Sequence, residues 1–519
     1  MPTDAAAPQQ VEQVLFVGLA QPARDPTALK IPRKIIQPEK GYRASKEALA
    51  QLTTGNLTEK QRQQFWELVT EFADIFADSP DALGRTEVLQ HSIKLTDDRP
   101  IRQRPYRHKG KIGEFVREEI QRMRKLGVVV PSESPYSSPV VVVTKKGGKL
   151  RLCVDYRRLN EVTQKDAYPL PLIDDLLHNI SGAQYFSSLD AQSGYWQVPV
   201  APEDRAKTAF VTYDGLFEFT VMPFGLTNAP ATFQRLMNTV LHDLRWKCVV
   251  VYLDDVNIYS PTWEQHLLDL RATFVRFRMA NLRLNIEKCH FVRPHVVFLG
   301  FLVSDKGIET DPEKIDKMIN LRPPTNTKGV RSALGLFSFY RGFVPNFSAL
   351  AQPMTRLLRK GRPFIWANAQ QQAFDALKKA LVSTPVLVAP DMNKPFQLYT
   401  DASYEGLGAL LCQRDDENRS RLIACASTSL NVHEQRYAPV YLECRAVIWA
   451  VRRFHQYLYD TDFELYTDQA ALVFLLKKGT DGLLNRTMGR WIDELQTYRY
   501  TVRYRPGKLN PADYLSRVP

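Results

Sequence analysis

The sequence predicts an α+β chain of several domains, and three observations predict it. At 519 residues the chain is too long for one core, and a usual domain size of roughly 150 residues suggests about three units. Strand-like runs of β-branched and aromatic residues alternate with helical patterns along its length, with no internal repeat. Carboxylates stand at the ends of strand-like runs in two separate places, one central and one C-terminal.

With 44% hydrophobic and 24% charged residues, the chain has enough apolar content to build packed cores, which argues against a disordered protein. No apolar stretch approaches the roughly 18 residues of a membrane span. Residues 1–10 have no basic start followed by an apolar run, so neither a membrane nor secretion is expected. The six cysteines (Cys153, Cys248, Cys289, Cys412, Cys425 and Cys444) follow no zinc-ligand spacing, which points to reduced thiols in an intracellular compartment. The net charge of +13 suits a polyanionic partner. Residues 101–160 concentrate it, with fifteen Lys/Arg against five Asp/Glu.

In chain order, "MPTDAAAPQQ" reads as a disordered start, and "TEKQRQQFWELVTEFADIFA" has Phe65, Leu68, Phe72 and Phe76 at helical spacing. "IGEFVREEIQRMRKLGVVVPS" predicts a helix stopped at Gly127, and "SSPVVVVTKKGGKLRLCVDYRRLN" a hairpin turning at Gly147-Gly148. "DPEKIDKMINLRPP" and "TKGVRSALGLFSFYRGFV" read as short helices separated by Pro323-Pro324. A second α/β pattern starts near residue 391. It has strands at "PFQLYTDAS", "GALLCQRD" and "RLIACAS", a helix at "VYLECRAVIWAVRRFHQYL", a strand at "DFELYTD", then more helix.

"YFSSLDAQSGYWQVPV" ends a strand at Asp190, and "VVVYLDDVNIYS" places Asp254 and Asp255 in an apolar hairpin 64 positions later. Adjacent carboxylates in such surroundings call for a cation, because desolvating them costs several kcal/mol each. Three carboxylates on one sheet suit two divalent metals, Mg²⁺ by preference, one activating a 3′-hydroxyl and one holding a triphosphate. Asp254 is expected to face the metals and Asp255 to be the weaker ligand.

The blocks "KLRLCVDYRRLN", "SSLDAQSGYWQVPV", "FEFTVMPFGLTNAPATFQRLMN", "VVVYLDDVNIYS" and "FLGFLVSDKGI" resemble, in this order, the polymerase of gypsy-class long-terminal-repeat retrotransposons. The resemblance covers roughly residues 95–517. It implies a right-hand polymerase of fingers, palm and thumb. Lys145 or Lys146, with Arg151, would grip the incoming triphosphate, which fits the local basic excess. Asp190, Asp254 and Asp255 would hold the metals, and the backbone near Ala191 would complete their shell. Tyr195 would lie beneath the sugar and exclude a 2′-hydroxyl. Phe224, where retroviral relatives commonly carry Gln, would line the nucleotide pocket, and Phe298, Leu299, Gly300 and Phe301 would grip the primer.

Downstream, Asp401 ends a strand, Glu443 lies on a helix, Asp468 ends another strand, and Asp513 falls in "GKLNPADYLSR". Four acids in this order resemble an α/β ribonuclease H-like domain, whose two-metal site activates water against a phosphodiester. Gln469 stands where relatives often have His, and no His lies between Asp468 and Asp513; Arg503 or Tyr504 is the candidate for that role.

The resemblance divides the chain into an N-terminal linker or extension (1–94, partly disordered), fingers and palm (95–305), thumb and tether (306–390) and a ribonuclease H-like domain (391–519). It implies an RNA- and DNA-directed DNA polymerase with ribonuclease H activity, using two Mg²⁺ per site with Mn²⁺ able to substitute. Its partners would be an RNA template, a DNA primer, RNA/DNA hybrid and dNTPs, with a homodimer allowed. Neither a "DTG" protease signature nor an integrase zinc module occurs, so a processed product or fragment of a larger Pol polyprotein with protease and integrase is expected. The expected location is cytoplasmic, in virus-like particles, with a later nuclear stage. The alternative is a domesticated or inactive remnant that only binds nucleic acid.

Overall fold

The computed structural model describes residues 42–144, 148, 150–478 and 486–506. The expectations for residues 1–41, Lys145, Lys146, the Gly147 half of the turn and Asp513 therefore lie outside the described residues.

A five-stranded sheet occupies the place expected of a palm, in the order Thr53–Thr54, His290–Arg293, Tyr185–Asp190, Asp255–Ser260 and Val249–Tyr252. Tyr185–Asp190 runs antiparallel to both of its neighbours. Helices Ala229–Val240 and Trp263–Met279 pack against its strands. Thr262 caps the second of these by accepting from the Gln265 amide.

Within the span expected to be a linker or extension, residues 42–94 fold against the palm sheet. Helix Glu59–Glu71, closed by a Thr58–Gln61 capping box, buries Phe65 and Leu68, and Phe72 and Phe76 beyond it are buried too. An apolar stripe needs a partner face, and the palm supplies one. Phe65 meets Phe291, and Phe72 and Phe76 both meet Phe274 of helix Trp263–Met279. Arg271 forms a two-pronged ion pair with Glu71, and Trp263 Nε1 donates to Gln64 Oε1 at 2.9 Å.

A second sheet, ordered Val129–Pro131, Gly215–Phe219, Phe210–Thr212, Ser138–Thr144 and Leu150–Val154, contains the expected hairpin. Helix Lys111–Lys125 precedes it, and Gly127 at φ +63 ends the helical run, as the sequence suggests. Strands His295–Phe298, Phe301–Ser304 and Gly307–Thr310 form a third sheet. The expected boundary at 305/306 thus falls in a turn between two paired strands. Helices Pro312–Ile319, Thr327–Ser338, Phe347–Arg356 and Asn368–Val382 follow.

The C-terminal sheet runs Ser420–Ser429, Gly406–Arg414, Phe396–Ala402, Asp462–Thr467 and Arg499–Tyr504, the last three parallel to one another. Helix Pro439–Arg453 covers it, burying Val447 and Val451 against Leu398 and Leu465. Two details depart from expectation. The helix breaks at Phe454 and resumes as His455–Leu458. Helices Ala470–Lys478 and Arg486–Leu495 follow strand Asp462–Thr467 as expected, and a further strand, Arg499–Tyr504, comes after them, where the alternation of Val502 with exposed neighbours suits a sheet edge. Among the described residues, no helix is long and apolar enough to cross a membrane.

Candidate active sites

Tyr185–Asp190 and Asp255–Ser260 are paired so that Asp190 and Asp255 stand directly opposite each other. Asp254 is the second residue of the two-residue turn that joins Val249–Tyr252 to Asp255–Ser260. The first turn residue, Leu253, has φ +53, a region that favours glycine and strains a leucine. Fully buried Gln234 holds this turn: its Oε1 accepts from Leu253 N–H at 2.7 Å, and its Nε2 donates to the Val251 carbonyl at 3.3 Å. Gln234 did not figure in the sequence reading.

Asp254 and Asp255 are exposed at the hairpin tip. Desolvation by the surrounding protein, then the charges of Asp190 and Asp255, push the Asp254 carboxyl up to about 6. Asp255 is raised by the same burial and by Asp190. Lys288, also unforeseen, places Nζ 3.2 Å from both Asp190 oxygens and opposes these shifts. It is an internal cation among carboxylates that need one. Ala191 forms an isolated bridge with Leu284, which ties the segment after Asp190 to the one before Lys288.

Three residues expected at a nucleotide pocket come together. The Tyr195 ring stacks on Phe224 at 5.1 Å and 24°, and the Arg151 guanidinium lies over the same Phe224 ring at 4.3 Å. Tyr195 is 9% exposed, and burial raises its phenol pKa. Gly194 makes room for this stack, since a Cβ there would come 2.7 Å from the Phe233 ring.

Phe298 and Phe301 turn inward. Both are buried, and Phe301 stacks on Phe339 at 5.1 Å and on Phe343 at 5.8 Å. Only Leu299 and Gly300, the turn at φ +52 and +86, remain partly accessible.

In the C-terminal unit, Asp401 lies in strand Phe396–Ala402, Glu443 in helix Pro439–Arg453 and Asp468 directly after strand Asp462–Thr467. One ligand atom from each lies within 4.8 Å of the others. Among the described residues no other three His, Cys, Asp or Glu meet that condition. The Ala402 N–H donates to Glu443 Oε1 at 3.2 Å, which orients the helix carboxylate toward the strand. Three hard oxygen donors at these distances fit a divalent cation. Arg503 is engaged elsewhere, in an ion pair with Glu464 at 2.7 Å, while Tyr504 is exposed.

A polymerase hand joined to an acid-bearing ribonuclease H-like sheet defines the class. Residues 143–303 match the family described as reverse transcriptase (RNA-dependent DNA polymerase), and residues 366–465 match the RNase H-like domain found in reverse transcriptase. The retrovirus-related Pol polyprotein from transposon opus of Drosophila melanogaster is 36% identical over 470 residues, which is 87% of this chain and 46% of that one. The polyprotein from transposon gypsy of the same organism is 36% identical over 476 residues, 88% of this chain and 45% of that one. The chain spans less than half the length of these relatives. The fold matches a foamy viral protease-reverse transcriptase solved with dsDNA, with TM-score 0.80 and 24% identity over 89% of this chain and 96% of that one. The chain carries a reverse transcriptase domain followed by an RNase H-like domain and is similar, over most of its length, to Pol polyproteins of long-terminal-repeat retrotransposons. Domains of these two kinds use divalent metal ions.

Proposed function

We propose that the chain copies retrotransposon RNA, and then DNA, into DNA, and cleaves the RNA strand of RNA/DNA hybrids. The observation that carries this reading is the pairing of two separate carboxylate groups with the two folds that use them: Asp190, Asp254 and Asp255 at the tip of the palm sheet, and Asp401, Glu443 and Asp468 in the C-terminal domain.

Both donor sets are hard oxygens, so Mg²⁺ suits them, with Mn²⁺ as a substitute. Bound there, divalent ions supply charge neutralisation for the attacking oxygen and the leaving group. The chain's own residues do the rest. Asp190, Asp254 and Asp255 hold the ions at the cleft. Arg151, with Lys145 or Lys146, draws the triphosphate in, and Ala191 backbone closes the shell. Tyr195 lies under the sugar with Phe224 behind it, and Leu299 and Gly300 present the accessible tip to the primer. Asp513 completes the nuclease set. RNA template, DNA primer, hybrid and dNTPs are the proposed partners, within a larger polyprotein that includes protease and integrase, in cytoplasmic virus-like particles.

Primer extension on poly(rA)/oligo(dT) and cleavage of labelled hybrid test this together. Asp254→Asn is expected to abolish extension and spare cleavage, and Glu443→Gln to do the reverse; EDTA stops both. Extension by Asp254→Asn at the parental rate would overturn the assignment. A chain that binds hybrid without either reaction would instead be the inactive remnant.

A further inference from the structure

Beneath the palm sheet lies a buried polar chain that the proposed chemistry does not use. Val292 N–H donates to Ser187 Oγ at 3.0 Å, and Ser187 Oγ lies 2.8 Å from His266 Nε2. His266 Nδ1 lies 3.0 Å from Ser260 Oγ, which in turn donates to Asp269 Oδ2 at 2.6 Å. Gln265 Nε2 donates to the other Asp269 oxygen at 2.8 Å. Ser187, Ser260 and His266 are wholly buried and Asp269 nearly so.

The chain has one direction. Ser260 has a single hydrogen, and the Asp269 carboxylate takes it, so His266 Nδ1 must be the donor to Ser260. Nε2 is then an acceptor, and the Ser187 hydroxyl donates to it while its lone pair receives Val292 N–H. Every group is used once, with the tautomer assigned from its partners. The residue types are those of a hydrolytic triad, but the Ser260 proton goes to the carboxylate rather than to imidazole, and no substrate reaches it.

The placement is what gives this network a role. Ser187 is three residues before Asp190 on the same strand, Ser260 ends the strand that begins at Asp255, and Val292 follows Lys288 by four. All three are tied to helix Trp263–Met279, itself fixed to helix Glu59–Glu71 by the Arg271–Glu71 pair. We propose that His266 is a positioning residue of the polymerase site: its neutral ring, with the hydrogen on Nδ1, locks the two acid-bearing strands and the Lys288 segment onto one helix. This rests on the reading of Asp190, Asp254 and Asp255 as the polymerase acids.

The test compares the parent with His266→Leu, His266→Asn and Ser187→Ala. It measures kcat and KM for dTTP in extension, and hybrid cleavage in the same preparation as an internal control. His266→Leu removes the acceptor of the Ser187 hydroxyl and the donor to Ser260 Oγ and is expected to lower kcat by about tenfold or more, since displacements of an ångström at reacting groups have effects of up to about 100-fold. KM for dTTP should stay within about twofold, and cleavage should not change. His266→Asn, which keeps a donor near Ser260, should recover part of kcat. Unchanged kcat in His266→Leu, loss of extension and cleavage together, or no recovery in His266→Asn would each overturn the proposal. If His266→Leu fails to fold, Ser187→Ala decides: a kcat loss with KM and cleavage kept supports the brace, and parental kcat overturns it. Asp254→Asn in parallel separates the two ideas. If it still extends primers, the acid assignment fails; if it is inactive while the brace variants match the parent, only the brace fails.

Discussion

At the C-terminal site three carboxylates drawn from a strand, a helix and the residue after a second strand already stand within 4.8 Å of one another, whereas the palm acids share a strand end without closing to that distance, and Lys288 sits among them. The first arrangement is set by elements packed on both sides of a shared core. The second depends on a two-residue turn with a strained leucine, held by one glutamine from another helix. A site carried on a strand, a helix and a strand end draws its carboxylates together through the packing of those elements. A site on a hairpin tip needs an internal cation and an external clamp, so substitutions away from its acids should affect it more.

The largest effect outside the acids is expected at the sugar. A pocket that merely lacks a partner for an added hydroxyl rejects it by only about 100-fold, so a steric barrier has to contribute. Tyr195, packed between Phe224 and Phe233, is the side chain proposed to provide it. Tyr195→Ala should lower the preference for dGTP over GTP by about 100-fold in the ratio of kcat/KM values, while some DNA extension remains. An unchanged ratio in a folded, active variant would make Tyr195 a core aromatic only.

Next in size is Gln234→Leu. It removes the acceptor for Leu253 N–H, and an unmade hydrogen bond of this kind costs about 1–3 kcal/mol. The expected result is extension reduced about tenfold with hybrid cleavage unchanged. Equal losses in both assays would mean that the clamp serves the whole fold rather than the turn.

These two residues also mark what the sequence could show. The strand ending in Asp190, the Asp254-Asp255 hairpin, the strand carrying Asp401 and the strand leading to Asp468 follow local patterns that a reader of the sequence can see. Gln234 and Lys288 act through contacts 19 and 98 positions away in the chain, and nothing in their neighbourhood announces them. The helix in residues 59–71 was legible from its apolar stripe, but such a stripe does not reveal which face covers it. The primer grip expected of Phe298–Phe301 says nothing of burial, because the sequence does not fix which face of their hairpin meets the aromatic cluster around Tyr340.

A smaller effect is expected from Lys288→Met. Its ammonium lies 3.2 Å from both Asp190 oxygens, where it would compete with a metal ion held by that carboxylate. Without it, Mn²⁺ measured by electron paramagnetic resonance should bind the palm site a few-fold more tightly, about 1 kcal/mol or less for a pair this exposed. Weaker binding would show that Lys288 orders the carboxylates rather than occupying them.

The smallest effect is a slope in stability with pH. Burial pushes the His91 ring down to about 4, against the opposing charges of Asp204 and Asp166, and its Nδ1 is bonded to Thr232 Oγ1 at 2.8 Å. Burial likewise pushes His266 down to about 3. In the unfolded chain both would take a proton near 6.5, so below that pH the unfolded state binds more protons than the folded one. Their contribution is complete above about 6.5 and is lost as pH falls toward the folded values of about 4 and about 3. The melting temperature of the polymerase portion should therefore drop between pH 7 and pH 4. His91→Gln, which cannot titrate, should melt lower than the parent at pH 7 yet lose less on acidification, because the difference between the two proteins cancels every other group. Differential scanning calorimetry at four or five pH values would measure it. If parent and variant lost stability in parallel, His91 would take up its proton in the fold at the same pH as in the unfolded chain, and at acid pH its bond to Thr232 would have to be made by the charged ring.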